Sequence, residues 1–197
     1  MVIKKFRYII NSINKLKLKN KTPTIISSNC NGTFILHDLG LKFRTPTINL
    51  FFYPKDFIKF VENIDYYIKI DIKEVQQKKI NYPVGQIDDI KVYFKHYDSF
   101  EQAKKKWSDR CKRINKENMY IIMTDRDGCT YEDIKRFDDL KYKNKVIFTN
   151  KEYKEIKSSY YIHGFEDKSS VGILSNYQNI FAKRYLDNFD YVSFLNN

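Results

Sequence analysis

Three short runs limit what this chain can become: TIIS at Thr24, MYIIM at Met119 and KVIF at Lys145. Their apolar residues are consecutive rather than alternating, and none of the runs is long enough for a helix. Each therefore reads as a strand buried on both faces. The stretches between them carry apolar residues at helical spacing. "GTFILHDLGLKF" is closed by Gly40, and "PKDFIKFVENIDYYIKI" has Pro54 near its first turn. "SFEQAKKKWSDRCKRIN" opens with a Ser99–Gln102 capping box, and "YEDIKRFDDL" follows a second one formed by Thr130 and Asp133. Buried strands alternating with amphipathic helices imply a single-domain α/β fold, a Rossmann-like three-layer sandwich with a mainly parallel sheet.

Four further segments complete the expected order. "TPTINLFF" repeats the Thr-Pro-Thr-Ile opening of "TPTIISS", so it reads as a second strand closing a strand-helix-strand crossover. "DDIKVYFKHY" reads as a strand with Lys95, His96 and Tyr97 at its polar exit, "YYIHGF" as a weaker strand, and "YQNIFAKRYLDNF" as a closing helix.

The chain has 197 residues and a net charge of +12. It is rich in Lys, Asn, Ile and Tyr, the bias of AT-rich coding sequence, so part of the Lys excess is background. The rest is localised: residues 1–21 hold Lys4, Lys5, Arg7, Lys15, Lys17, Lys19 and Lys21 and no acid. Val2, Phe6, Ile9, Ile10, Ile13 and Leu16 recur at three- and four-residue steps there, so residues 1–21 form a basic amphipathic helix ahead of one α/β domain over 22–197. Its stripe either packs on the domain or lies on an anionic membrane surface. No nucleic-acid module is recognisable, so DNA or RNA is not an expected partner. Cys30, Cys111 and Cys129 show neither a disulfide framework nor CxxC pairs, which points to a reducing, cytoplasmic setting. No apolar run reaches the roughly 18 to 20 residues of a membrane span, and no signal-peptide core is evident.

In open parallel sheets ligands bind beyond the carboxyl ends of the strands, near a switch in strand order. The residues after each strand should therefore converge: Ser28, Asn29 and Cys30; His96 and Tyr97; Asp125, Arg126 and Asp127; Thr149; and His163. Cys30 precedes a helix start, where N–H groups of Asn31, Gly32 and Thr33 would lower its pKa or hold an oxyanion or phosphate, with Gly32 allowing close approach. His96 is the candidate general acid or base. His37, two helical turns after Cys30, is about 10 Å away by helix rise and too far for that role. Asp125 and Asp127 form an Asp-x-Asp pair after a buried strand, the arrangement with which nucleotide-sugar glycosyltransferases hold Mg or Mn. The plainer alternatives are a buried structural thiol at Cys30, a turn at Asp127–Gly128, and an ion pair from Asp125 to the basic helix. Lys104, Lys105, Lys106, Arg110, Lys112 and Arg113 would contact phosphates or remain a solvated face.

The blocks "SSNCNG", "LGLKFRTPTINLFF", "FVENIDYY", "HYDSFEQAKKKWSDRCKRIN", "DRDGCTYEDIKRFDDL" and "KNKVIFT" resemble, in order from Ile25 to Phe148, a bacterial family of unknown function, domain nineteen-nineteen. Its members are commonly linked to exopolysaccharide biosynthesis. The family pattern matches at Asn29, Cys30, Gly32, Gly40, Pro46, His96, Tyr97, Trp107, Arg110, Arg113, Asp125, Arg126, Asp127 and Thr149; Thr33 stands where the family usually has a second glycine. The Asn-Cys turn is also similar to that of coenzyme A-binding polysaccharide acyltransferase-like proteins. Together these resemblances imply transfer of an acyl group from a coenzyme A thioester to a sugar or polysaccharide. Cys30, His96, Asp125 and Asp127 would be the catalytic set, Asn29, Asn31 and Gly32 the oxyanion or phosphate cradle, and Tyr97, Arg110, Arg113, Arg126 and Thr149 the substrate contacts. The alternatives are a metal-dependent glycosyltransferase using a nucleotide sugar and a non-catalytic protein that binds glycan or the inner face of the membrane.

Overall fold

The three apolar runs become neighbouring strands. In the computed structural model, which describes residues 2–197 with side chains from Ile3 onward, β1 (Thr24–Ser27), β5 (Met119–Thr124) and β6 (Lys145–Thr149) lie side by side. With β7 (Ser159–Tyr161) they form a four-stranded, all-parallel sheet in the order β1-β5-β6-β7. Successive side chains point to opposite faces. Ile26, Ile121, Met123 and Ile147 therefore enter one core, and Ile25, Tyr120, Ile122, Val146 and Phe148 the other.

Three amphipathic helices cover the first face: α3 (Pro54–Glu62), α5 (Phe100–Cys111) and α6 (Tyr131–Asp138). Phe52, Phe60, Phe94 and Trp107 pack there with ring centroids 5.2–6.3 Å apart. The second face is covered by α2 (Asn31–Asp38), by α7 (Tyr191–Asn196) and by residues around Val171, Leu174 and Leu186. A short helix α4 (Ile64–Tyr67) follows α3. The Thr130–Asp133 capping box forms in full, and Ser99 accepts from the Gln102 N–H at 3.2 Å.

Several expected elements differ. "TPTINLFF" is not a strand. The β1 edge that it covers donates the Ser27 N–H to the Thr47 hydroxyl at 3.0 Å, and Thr45 and Thr47 bond each other, so side-chain hydroxyls replace a backbone ladder. Only its end pairs regularly: Phe51 bridges to Tyr93, and the Phe52 N–H donates to the Ser28 carbonyl. "DDIKVYF" supplies β4 (Ile90–Tyr93), which belongs to a separate antiparallel sheet with β3 (Val84–Ile87) and β2 (Lys73–Glu74). Asp88 makes the β3–β4 turn at φ +53°. His96 therefore does not follow a strand of the parallel sheet. "YQNIFAKRYLDNF" is not a helix either. The Asn179 side chain accepts from the N–H groups of Phe181 and Lys183, which competes with a helical ladder, and only a 3-10 turn at Tyr185–Asn188 survives. The strand order runs in one direction without reversing, so the parallel sheet has no switch point.

The N-terminal helix α1 (Val2–Lys17) inverts the expected packing. Its docking face is polar: buried Arg7 pairs with Asp38 and with Asp187, Asn11 donates to Asp38, and Asn14 donates to the Tyr191 hydroxyl. Leu18 just beyond it is buried, whereas Phe6, Ile9, Ile13 and Leu16 are exposed. The side chain of Val2, the first residue of the expected stripe, lies outside the described part of the structure.

Candidate functional site

A cleft of about 650 Å³ opens at the carboxyl ends of β1 and β5. From the β1 exit come Asn29 and Cys30, then Asn31, Thr33 and Phe34 of α2; from the β5 exit come Arg126 and Asp127. The wall opposite is built by Asn49–Phe51, Tyr82, Lys95 and His96, and the rim by Ile173–Ser175. The Phe51–Tyr93 bridge ties the antiparallel sheet to the edge segment, and the His96 N–H donates to the Asn49 carbonyl at 3.3 Å. His96 thus reaches the cleft from a different sheet, and the expected convergence of Cys30, His96, Arg126 and Asp127 occurs by another route.

Cys30 is half-buried at the start of α2, with its Sγ 3.9 Å from the Leu50 carbonyl oxygen. Burial pushes its thiol above the ordinary pKa, and the positive charges of Lys95 and Arg126 pull the other way without winning. The helix start offers only part of the expected cradle, because two of its three N–H groups are already engaged. The Asn31 N–H donates to the Asn29 carboxamide oxygen, and the Gly32 N–H to the Ser27 hydroxyl. Asn29 also donates to the Thr124 hydroxyl, clamping the ends of β1 and β5 together. Gly32 serves packing rather than a ligand: a Cβ there would sit 2.8 Å from the Ser27 Cβ and 3.0 Å from the Ile25 Cγ2, and the residue does not line the cleft. Asn31 is the available amide. It is 7% exposed and lines the cleft, and its carboxamide bonds no other described residue.

The remaining expected site residues lie elsewhere. Asp125 is buried, and its two oxygens accept the N–H groups of Val171 and Asn150 at 2.8 and 2.7 Å. Burial raises its pKa, and those two donors offset the effect in part. The Asp-x-Asp pair is therefore split: Asp125 ties β5 to the end of β6 and to the segment after β7, while Asp127 faces the cleft from a left-handed turn at φ +59°. Thr149 is buried and donates to the Lys151 carbonyl. Tyr97 donates to the Ile48 carbonyl and accepts from Arg110, and Arg113, just beyond the end of α5, is exposed. None of these five lines the cleft, and neither does His37 or His163.

The aromatic wall of Phe34, Phe51 and Tyr82, together with Asn49, was not legible as a site in the sequence. Asn49 has φ +60° and, like Asp127, is a non-glycine residue in the left-handed region at the cleft. The polar residue within an apolar run, Ile48-Asn49-Leu50, is the one signal that marked it.

The sequence model described as "Domain of unknown function (DUF1919)" matches residues 1–196. The chain belongs to this family. The DUF1919 match extends beyond the stretch from Ile25 to Phe148 and takes in α1 and the closing segment. The chain is also similar to an uncharacterised protein of Haemophilus influenzae, 46% identical over 195 residues, covering 99% of this chain and 94% of the relative. Among the described residues of this DUF1919 protein, no helix is long and apolar enough to cross a membrane.

Proposed function

We propose that this protein is a group-transfer enzyme that moves an acyl group from a thioester, such as that of coenzyme A, to a sugar hydroxyl in surface-polysaccharide assembly. The observation that carries the reading is the shared cleft: a thiol, an imidazole, two cations and an unpaired carboxamide beside three aromatic rings, in a volume suited to a monosaccharide with part of its donor. Two left-handed non-glycine residues at the same cleft support it, since such backbone is retained where a site needs it. The cleft lies beyond the carboxyl ends of parallel strands, the end of such a sheet at which ligands bind, although this sheet has no switch point. The sugar acceptor comes from the resemblance to exopolysaccharide-biosynthesis proteins.

In this reading His96 takes the Cys30 proton as Sγ attacks the thioester carbonyl, because burial keeps the free thiol protonated. Asn31 donates to the resulting oxyanion. The carbon–sulfur bond to the donor breaks and His96 returns the proton to the leaving thiolate. A sugar hydroxyl then loses its proton to His96 and attacks the Cys30 thioester; the acyl carbon–Sγ bond breaks, and His96 returns the proton to the Cys30 thiolate. Lys95 and Arg126 hold the donor's diphosphate.

Intact-mass measurement after incubation with acetyl-coenzyme A tests this: one acetyl group is expected on the wild type and none on Cys30→Ala. Burial pushes the thiols of Cys111 and Cys129 to about 12, so they should stay unmodified. An acetyl group retained in Cys30→Ala would overturn covalent catalysis. A melting-temperature rise with a nucleotide sugar that needs Mg or Mn and is lost in Asp127→Ala would replace acyl by glycosyl transfer.

A further inference from the structure

The exposed face of α1 has no role in the cleft. Phe6, Ile9, Ile13 and Leu16 follow one another at steps of three, four and three residues, so they form one stripe about 80° wide. All four are exposed, Leu16 to 87%. The helix is fixed with this stripe outward, because its opposite face is held by the Arg7–Asp38–Asp187–Arg184 cluster. The stripe does not end with the helix. Phe181 packs edge-on against Phe6 at 5.5 Å, and its neighbour Ile180 is 71% exposed. A contiguous apolar surface of this kind, built from two segments, marks a contact site.

We propose that this face seats the protein on an anionic lipid surface, with the apolar stripe among the acyl-chain ends and the surrounding lysines at the headgroups. Charge selects this occupant. Lys5 and Lys17 border the stripe within about 20° on either side. Lys19 and Lys21, just beyond the helix, add to the basic charge, and residues 1–21 contain no acid. A second copy of the chain would face the same lysines across the seam, the repulsion that disfavours helix pairing. An anionic surface gains from the lysines that border the stripe. An acidic glycan would use the charge but leave the apolar residues in water. Ile173–Ser175 line the cleft, and Arg184 lies over both Phe34 of the cleft and Tyr177. The segment from Ile173 to Arg184 therefore joins the two sites, so docking brings the cleft mouth close to the bilayer. The inference stands whether or not Cys30 is a nucleophile.

Co-sedimentation with vesicles of phosphatidylcholine and phosphatidylglycerol in equal parts tests it with the full chain. Binding is expected to the mixed vesicles and not to phosphatidylcholine alone, and to fall as salt rises. Replacing Lys5 or Lys17 by Gln should weaken partitioning about fivefold each. Ile9→Ser/Ile13→Ser/Leu16→Ser should abolish it while shifting the melting temperature little, since all three side chains are exposed at the surface. No binding to mixed vesicles would overturn the proposal. So would a dimer in sedimentation equilibrium that the triple variant dissociates, which would assign the face to a second copy.

Discussion

Cys30 shows how one side chain can be chemically defined by its neighbours while its type is only suggestive. A cysteine before a helix start reads as an activated thiol, yet two of the three N–H groups meant to activate it, those of Asn31 and Gly32, are occupied by Asn29 and Ser27. Burial then dominates, and Lys95 and Arg126 offset it only in part. Because only the thiolate alkylates, iodoacetamide labelling of Cys30 should be slow at neutral pH and rise with an inflection above the ordinary value of 9.0. Both cations lower the pKa, so Lys95→Ala and Arg126→Ala should each move the inflection further up. Peptide mass mapping of labelling rate against pH checks both, and an inflection below 9.0 would contradict the environment described here. Asp125 teaches the opposite lesson. Its place after β5 was evident from the run MYIIM, but its commitment to two backbone N–H groups depends on Asn150 and on Val171, which is 46 positions away.

Helix α2 and strand β1 depend on Gly32 for their approach. A methyl group there would meet the Ser27 Cβ at 2.8 Å, with Ile25 close behind, and both neighbours belong to a strand buried on each face. Gly32→Ala should therefore cost about 1–3 kcal/mol in urea unfolding, although alanine is the better helix former. A neutral or stabilising result would show that α2 can slide away from β1 without loss. The parallel strands were legible because a strand covered on both faces must be apolar at every position, and few other patterns produce that signature. The Thr45–Phe52 segment was misjudged because its apolar residues serve burial while its backbone is held by the Thr45 and Thr47 hydroxyls. Apolar composition reports burial and is silent on which group supplies the hydrogen bond. The segment from Tyr177 to Phe189 failed for a related reason: helical spacing was present, and the Asn179 side chain captured the backbone instead.

Across the molecule, α1 is attached by charge rather than by hydrocarbon. Buried Arg7 stays charged because, although burial works against it, the carboxylates of Asp187 and Asp38 outweigh that cost. Asp38 also accepts from Arg184 at 2.8 Å and from Asn11 at 3.1 Å, which joins residues 180 positions apart in the chain through one cluster. Arg7→Ala leaves Asp38 and Asp187 facing each other with one guanidinium fewer, so it should cost about 3 kcal/mol in urea unfolding. Far-UV circular dichroism should retain the sheet signal, and an unchanged unfolding midpoint would mean that α1 is held by something other than this cluster. The family match over residues 1–196 includes α1.

Local patterns were enough for the parallel strands, for the start of α3 at Pro54, for helices α5 and α6 with their capping residues, and for the meeting of Cys30 with Arg126 and Asp127, because buried strands and helix starts carry their chemistry within a few residues. Long-range pairing settled which face of α1 points outward, which carboxylate of the Asp-x-Asp pair stays free, and how His96 arrives from a second sheet. Those outcomes hinge on hydrogen-bond partners supplied by distant segments, and a donor's need for an acceptor leaves no periodic trace in the chain.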